Sequence, residues 1–240
     1  MSTLVISQPM LFPWSGFYEQ LMMADVYYYL DDTQFSKGSF TNRIQIKIGD
    51  DVKWMTIPLS GKGSFQTIAD LESASDEWRQ SHLSLLKQAF RTAPFADDAL
   101  TLVERAYKHK KLIDILIASI ELPVDYMGIG AIQRRARTSE LGIAGNSWRR
   151  VLDLTRFSHA TRYLTGHGAA SYLDHSAFES AGIAVEYMRY SKTPWPQLGA
   201  SFTPYVSILD LIANTGPAAR TYLHPATENW RLFLADRTVT

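Results

Sequence analysis

The chain has 240 residues, 46% of them hydrophobic, with 24 basic against 24 acidic side chains and no cysteine. The apolar share supports a buried core and excludes a disordered-chain composition. Zero net charge gives no reason to expect nucleic acid or an anionic membrane as partner, and the lack of cysteine removes disulfides, thiolate zinc sites and cysteine nucleophiles.

The N-terminus has no basic-then-apolar leader plan, and no apolar run approaches ~20 residues. The expectation is a cytoplasmic protein without a membrane span. Leu4–Ile6 reads as a short strand ending at Ser7-Gln8-Pro9, and Phe12–Trp14 as an aromatic elbow. Gly16–Ala24 has the length of a short helix, and Val26–Leu30 is aromatic and β-branched, hence strand-like. Strand, helix and strand in so short a span predict a βαβ unit in a parallel sheet, with ligands at the carboxyl ends of the strands. Those ends carry Gln8 and the Asp31-Asp32 pair.

Arg43–Ile48 and Val52–Leu59 alternate about Gly49-Asp50-Asp51 and predict a β-hairpin. Ser60–Ser64 holds two glycines around Lys62 but lacks the full P-loop spacing, so it reads as a plain loop or a weak phosphate cradle. Asp76–Arg91 is amphipathic through Trp78, His82, Leu85, Leu86 and Ala89. A second helix starts at Asp97 or Asp98, and Leu112–Ile120 is apolar enough to be buried, with Pro123 as its stop. Residues 76–122 therefore read as a helical block inserted in an α/β frame.

Ile132–Ala136 is a weak strand, diluted by arginines, and Asn146 or Ser147 opens a helix to Phe157. Thr161–Leu164 is a strand leading into Thr165-Gly166-His167-Gly168, followed by a helix from Ala169 or Ala170 and a strand over Gly182–Met188. Ser191–Pro204 is loop, Val206–Ala213 is a helix interrupted by Asp210, and the tail after Arg220 reads as a surface helix. The expected fold is one α/β domain over 1–240, an open and mostly parallel sheet with a hairpin and an inserted helical block.

The stretch QPMLFPWSGFYEQLMMADVYYYLDDTQFSKGSFTNRIQI, from Gln8 to Ile46, resembles the opening signature of the WbqC-like proteins. Ser139-Glu140-Leu141, Tyr163–Gly168 with Tyr172-Leu173-Asp174, and Ser207–Asp210 with Gly216-Pro217 fit the same family. The chain departs from it at Gly166-His167-Gly168, where the family usually has Gly-Pro-Gly. The resemblance implies acyl or aminoacyl transfer to an amine, on a nucleotide-activated amino sugar for bacterial surface polysaccharide or in a related secondary-metabolite pathway. A weaker likeness joins the opening to pantothenate synthetase-type nucleotidyltransferases, which implies a Rossmann-like, nucleotide-binding sheet. Where those enzymes carry His-x-Gly-His, this chain has Trp14-Ser15-Gly16-Phe17. Neither outer position can supply the cationic contact to phosphate, so the likeness supports the architecture more than adenylyl transfer.

Asp31 and Asp32 close a strand beside Gln34, Lys37, Ser39, Asn42 and Arg43. Two carboxylates can divide acid and base work or hold magnesium; equally, one caps a turn while the other pairs with Lys37 or Arg43. Adjacent strand side chains point to opposite faces, so at most one is expected to face a site, with Asp32 narrowly preferred. Lys37 and Arg43 suit a phosphate or carboxylate, and Gln8 and Asn42 suit a polar substrate or the elbow's own backbone. Trp14 either walls a sugar or nucleotide pocket or packs in the core. His167, between Gly166 and Gly168 at a strand end, is the candidate base for an attacking amine. Asp32, His167 and Lys37 are thus the catalytic candidates; Gln8, Trp14, Asp31, Gln34, Ser39, Asn42, Arg43, Gly166 and Gly168 are the substrate-binding ones. Asp210 is either a buried hydrogen-bonding partner or a site residue. His109, His159 and His175 show no metal spacing, and no metal site is expected from them. The cofactor and oligomeric state stay open. The expected partner is a small molecule, a nucleotide sugar or a carrier-bound acyl donor. A non-catalytic sugar- or nucleotide-binding protein, or a nucleotidyltransferase, is the alternative.

Overall fold

A computed structural model describes residues 1–61, 65–130 and 132–237; Lys62, Gly63 and Ser64 of the weighed phosphate loop lie outside the described residues. The fold is mixed α/β, with a six-stranded, mostly parallel sheet and a separate two-stranded antiparallel hairpin. In chain order come β1 (Thr3–Ser7), α1 (Ser15–Leu21), β2 (Val26–Tyr29), and the hairpin strands β3 (Arg43–Ile48) and β4 (Asp51–Thr56). Three helices follow: α2 (Glu77–Ala89), α3 (Ala96–Ala106) and α4 (Leu112–Tyr126). Then come β5 (Arg134–Arg137), α5 (Ser147–Ser158), β6 (Arg162–Thr165), α6 (His175–Ser180) and β7 (Ala184–Arg189). The chain closes with α7 (Ile208–Thr215), β8 (Ala226–Asn229) and α8 (Trp230–Arg237).

The large sheet runs β5-β2-β1-β6-β7-β8. The first five strands are parallel and β8 is antiparallel to β7. β1 is central and apolar on both faces. Val5, Tyr27, Tyr29 and Leu164 enter one core, while Leu4, Ile6, Val26, Tyr28 and Tyr163 enter the other. That division is the two-residue alternation of strands with helices on both sides. The strand order reverses between β1 and β6, where an open sheet leaves a crevice beyond its carboxyl ends.

Four expectations need correction. α4 does not stop at Pro123 but carries it inside and continues to Tyr126. Proline removes the hydrogen bond to the carbonyl four residues back, here that of Ser119. The buried Tyr18 hydroxyl donates to that carbonyl at 3.2 Å, which satisfies the orphaned acceptor. Tyr18→Phe is therefore expected to cost about 1–3 kcal/mol in urea unfolding; no measurable loss would show that the carbonyl finds another donor. The second correction lies after His167, where a 3-10 turn spans His167–Ser171 and the α-helix starts only at His175. Asp174 caps it by accepting the Ala177 N–H at 3.1 Å. Third, the tail is not simply helical, because Ala226–Asn229 adds a strand to the sheet before α8. Fourth, α1 ends at Leu21, short of Ala24.

The Phe12 elbow is a strained segment fixed from two sides. Phe12 is buried with φ +34, a left-handed conformation uncommon for a bulky residue. Its N–H donates to the Ser119 hydroxyl of α4 at 3.0 Å, and its carbonyl accepts from the Ser207 hydroxyl at 2.8 Å. The Ile208 N–H adds a bond to the Pro13 carbonyl at 2.9 Å. The elbow's direction is thus set by helices far along the chain, and it aims Trp14 at the strand ends.

Two buried groups tie the outer elements down with opposite proton linkage. His82 on α2 joins the Tyr107 hydroxyl at 3.0 Å and the Thr56 carbonyl at 3.1 Å. Burial pulls its pKa from 6.5 down to about 4, against the Thr56 bond. Asp210 accepts from the Trp195 indole at 2.7 Å, and burial pushes its carboxyl from 3.8 up to about 6 despite that bond. Asp210 is therefore a buried partner in the scaffold. A depressed histidine contributes stability that is lost as pH falls from 6.5 to 4. A raised carboxyl contributes stability that is lost as pH rises from 3.8 to 6. Each is worth up to about 3 kcal/mol, and over this window they oppose each other. Asp210→Asn is expected to unmask a stability that climbs by about 3 kcal/mol between pH 4 and 6.5, and His82→Gln the reverse slope. Urea titrations across that range read both; parallel profiles in the two variants would refute the assignment.

Candidate functional site

The carboxyl ends of β5, β2, β1, β6 and β7 carry two polar groupings. The first gathers at β2 and β5. Asp31 is fully buried and accepts from Arg137 Nε at 2.7 Å, the Ser139 N–H at 3.0 Å and the Ser139 hydroxyl at 2.8 Å. Asp32 is partly exposed and bonded to Arg150 Nη2 and the Thr138 hydroxyl. Burial acts to raise its carboxyl, but the Arg150 and Thr138 bonds and the Arg150 charge outweigh that and hold it below the usual carboxylate range. Asp32 is therefore a fixed negative charge near neutral pH, not a proton donor.

The two aspartates do not point apart as strand alternation predicts. β2 ends at Tyr29, and beyond it the chain turns so that both carboxylates reach Thr138, at 3.4 Å from Asp31 and 2.7 Å from Asp32. One hydroxyl hydrogen serves one acceptor well, and the shorter contact takes it. Gln8, at the end of β1, extends the grouping by donating to the Thr33 hydroxyl at 3.2 Å.

The second grouping lies across the crevice at β6 and β7. His167 Nε2 is 2.7 Å from the Met188 carbonyl. A carbonyl only accepts, so Nε2 carries the hydrogen and, in the neutral ring, Nδ1 keeps its lone pair. The ring is exposed and packs against Tyr190 and Phe233 at 5.1 and 4.9 Å between centroids. Tyr190 also meets Trp14 at 4.6 Å. Burial, and secondly the Glu19 charge, push the Tyr190 hydroxyl up to about 12. Glu19 itself is buried and accepts from the N–H and hydroxyl of Ser191 and from the His224 N–H. Gly16 has no room for a side chain: a Cβ there would sit 2.4 Å from the Trp14 ring and 2.6 Å from Tyr190. Gly166 is close to the Tyr190 hydroxyl, 3.1 Å from where its Cβ would be, while Gly168 is open. With strands ~4.8 Å apart and β1 between them, the β2 and β6 ends are separated by roughly 10 Å.

The sequence candidates divide accordingly. Gln8, Asp31 and Asp32 come together on one side, and Trp14, Gly166 and His167 on the other. The rest of the polar run does not converge on either. Asn42 donates to the Ile57 carbonyl at 2.9 Å, and Arg43 bonds to the Gly38 carbonyl and lies 4.1 Å over Trp54, so both secure the loop to the hairpin. The Ser39 hydroxyl is buried without a partner, Gln34 is exposed with its backbone bridged to Thr67, and Lys37 is exposed. Arg137, Thr138, Arg150 and Tyr190 escape the sequence reading. Thr138 and Tyr190 follow strand ends, so the strand-end rule applied to β5 and β7 finds them; Arg150 lies mid-helix and carries no local signal.

Among the described residues, no group of three or more His, Asp or Glu side chains is placed to hold a metal ion. No helix among them is long and apolar enough to cross a membrane. Two open clefts, about 580 and 630 Å³, lie off the strand ends, one between Asp70–Ser73 and Lys110–Ile115 and one between Gln88–Thr92 and Gly49. The first adjoins the aspartates, since Ala69 on its wall donates to the Asp31 carbonyl at 2.8 Å. The strand ends have the polar groups, the oriented imidazole and the reversal of strand order, which make them the candidate site.

The comparisons agree with this anatomy in extent. An uncharacterized protein of Mycobacterium tuberculosis, Rv1507c, is 30% identical over 228 residues, covering 93% of this chain and 98% of that one. No solved structure matches the chain significantly. The WbqC-like family profile matches residues 8–222, which takes in Gln8, Asp31, Asp32, Arg137, Arg150, His167 and Tyr190 and the carboxyl ends of β2, β5, β6 and β7. The chain belongs to the WbqC-like protein family.

Proposed function

We propose that this protein is a transferase that passes an acyl or aminoacyl group to an amine, with a nucleotide-activated amino sugar of surface polysaccharide assembly as the acceptor class. The observation that carries the reading is the His167 imidazole just beyond the end of β6, whose Nε2–H is held by the Met188 carbonyl so that in the neutral ring Nδ1 is the atom with the lone pair. The amine nitrogen forms the amide bond to the acyl carbon, and the bond from that carbon to its carrier breaks. The amine's proton passes to Nδ1 and from there to the departing carrier atom. Asp32, kept ionised by Arg150 and Thr138, supplies a fixed charge and hydrogen-bond acceptor for the substrate's polar end. The strand order supports a Rossmann-like, nucleotide-binding sheet as part of the same reading.

The test incubates the purified protein with free and nucleotide-linked amino sugars and with coenzyme A thioesters or activated amino acids, and reads the mass gained by the amine. Absence of any acylated amine across that set would refute the proposal. A second reading, a non-catalytic sugar- or nucleotide-binding protein, draws on the arginine partners that already occupy Asp31 and Asp32. Turnover by the protein alone excludes it. Nucleotidyl transfer would announce itself by release of pyrophosphate from a nucleoside triphosphate.

A further inference from the structure

Four rings form a row along one side of the crevice. Tyr205, Trp14, Tyr190 and His167 follow one another at centroid distances of 5.7, 4.6 and 5.1 Å. The far end of the row is open, since Tyr205 is 46% exposed. Lys192 reaches over its ring, with Nζ 5.4 Å from the centroid. Tyr205 belongs to neither buried cluster, and its ring contacts are Trp14 and Lys192.

The backbone is constrained at both ends of this arrangement. Trp14 follows the left-handed, doubly clamped Phe12, and its ring occupies the space that Gly16 leaves. Lys192 has φ +50, also left-handed. Non-glycine residues in that region cost of order 1–3 kcal/mol and persist where surrounding structure imposes them, often at ligand sites. Here the imposed result is a pair of partly exposed rings with a cation beside them.

The same placement closes the usual alternative. In open parallel sheets a diphosphate rests on the first turn of the helix after β1. In this protein the Trp14 side chain packs on Gly16 in that first turn, so the position is covered. The charges set around the row are positive: Lys192 beside Tyr205, and Arg237, whose guanidinium donates to the His167 carbonyl at 3.3 Å. The Glu19 carboxylate behind Tyr190 is buried and already accepts three donors.

We infer that the Tyr205–Trp14 face is a nucleobase-stacking subsite and that Lys192 binds the attached diphosphate, with the nucleotide lying along the ring row toward His167. This rests on the transfer reading for its orientation and specifies how the nucleotide part of the acceptor is held. Base–aromatic stacking contributes about 1–3 kcal/mol per base, which is roughly 5- to 150-fold in affinity.

The experiment is calorimetric titration of the full-length protein with UDP, ADP, GDP and CDP, each beside its nucleoside. At least one diphosphate is expected to bind. Tyr205→Ala should weaken it roughly 5- to 150-fold, while Tyr205→Phe keeps it. Lys192→Ala should weaken the diphosphate and leave the nucleoside unchanged. Thermal melts of each variant separate lost binding from lost folding. Failure of all four diphosphates to bind, or full binding by folded Tyr205→Ala, overturns the subsite. Neither result touches amine acylation itself, whose own failure is the absence of acylated amine from both free and nucleotide-linked amino sugars.

Discussion

Arg137→Met is expected to destabilise the protein by about 3–5 kcal/mol, because it strands a carboxylate in a fully buried place. Asp31→Ala should cost less, about 3 kcal/mol, the low end of the same range. The reason for the asymmetry is exposure. Arg137 is 28% exposed and can turn its guanidinium to water once Asp31 is gone, whereas Asp31 has no such route. The Ser139 N–H and hydroxyl also lose their acceptor, but Ser139 is exposed and water replaces it. The double variant Asp31→Leu with Arg137→Met removes both charges and should recover most of the loss, since apolar replacement of a buried pair is often neutral. Urea midpoints at an unchanged slope measure all three. Equal, small losses below 1 kcal/mol in both single variants would mean that water reaches Asp31 and that the pair is not structural.

His167→Ala is expected to lower kcat for amine transfer by about 10²–10⁴-fold, the contribution of a positioned base. Its effect on stability should be modest, because the residue is exposed and its loss forfeits one bond to the Met188 carbonyl and the ring contacts with Tyr190 and Phe233. KM for the acceptor should change little, which separates a proton-transfer role from a binding one. Exogenous imidazole should restore part of the rate in the alanine variant, a rescue that a purely structural role would not show. Asp32→Asn should act differently. It removes the Arg150 partner and the fixed charge, so KM is expected to rise along with a modest loss of stability. An alanine variant at His167 that retains full kcat would remove the base assignment while leaving family and fold in place.

Much of the fold is legible in local pattern. The Leu4–Ile6 and Val26–Tyr29 strands, the hairpin about Gly49 and the His82 face of α2 are each set by residues within a few positions of one another. What escapes is set at a distance. Pro123 stays inside α4 because Tyr18, far earlier in the chain, serves the carbonyl that proline frees. β8 is a short polar run, Ala226–Asn229, whose strand character comes only from pairing with β7. The candidate site follows the same division. Gln8, Asp31, Asp32 and His167 stand at strand ends that periodicity locates, so they are readable. Lys37, Asn42 and Arg43 share their polarity and their neighbourhood in sequence, yet Asn42 and Arg43 spend their hydrogen-bonding groups on the hairpin and its loop, and Lys37 is exposed. Arg137 and Arg150 become visible only when β5 and α5 are folded beside β2.

The Phe12 clamp also bears on the order of assembly. Its two serines lie 107 and 195 positions further along the chain. During synthesis the first strand and the elbow therefore emerge long before the groups that fix them, and β1 also waits for β6 to become a central strand. Contacts of such separation slow folding, since long loops must close before any of them forms. The left-handed turn is completed late: until Ser207 arrives, only the Ser119 side of the clamp opposes its relaxation. Refolding followed by far-ultraviolet circular dichroism should accordingly run ahead of the signal from Trp14, and a nascent chain released before Ser207 should hold secondary structure without a competent crevice.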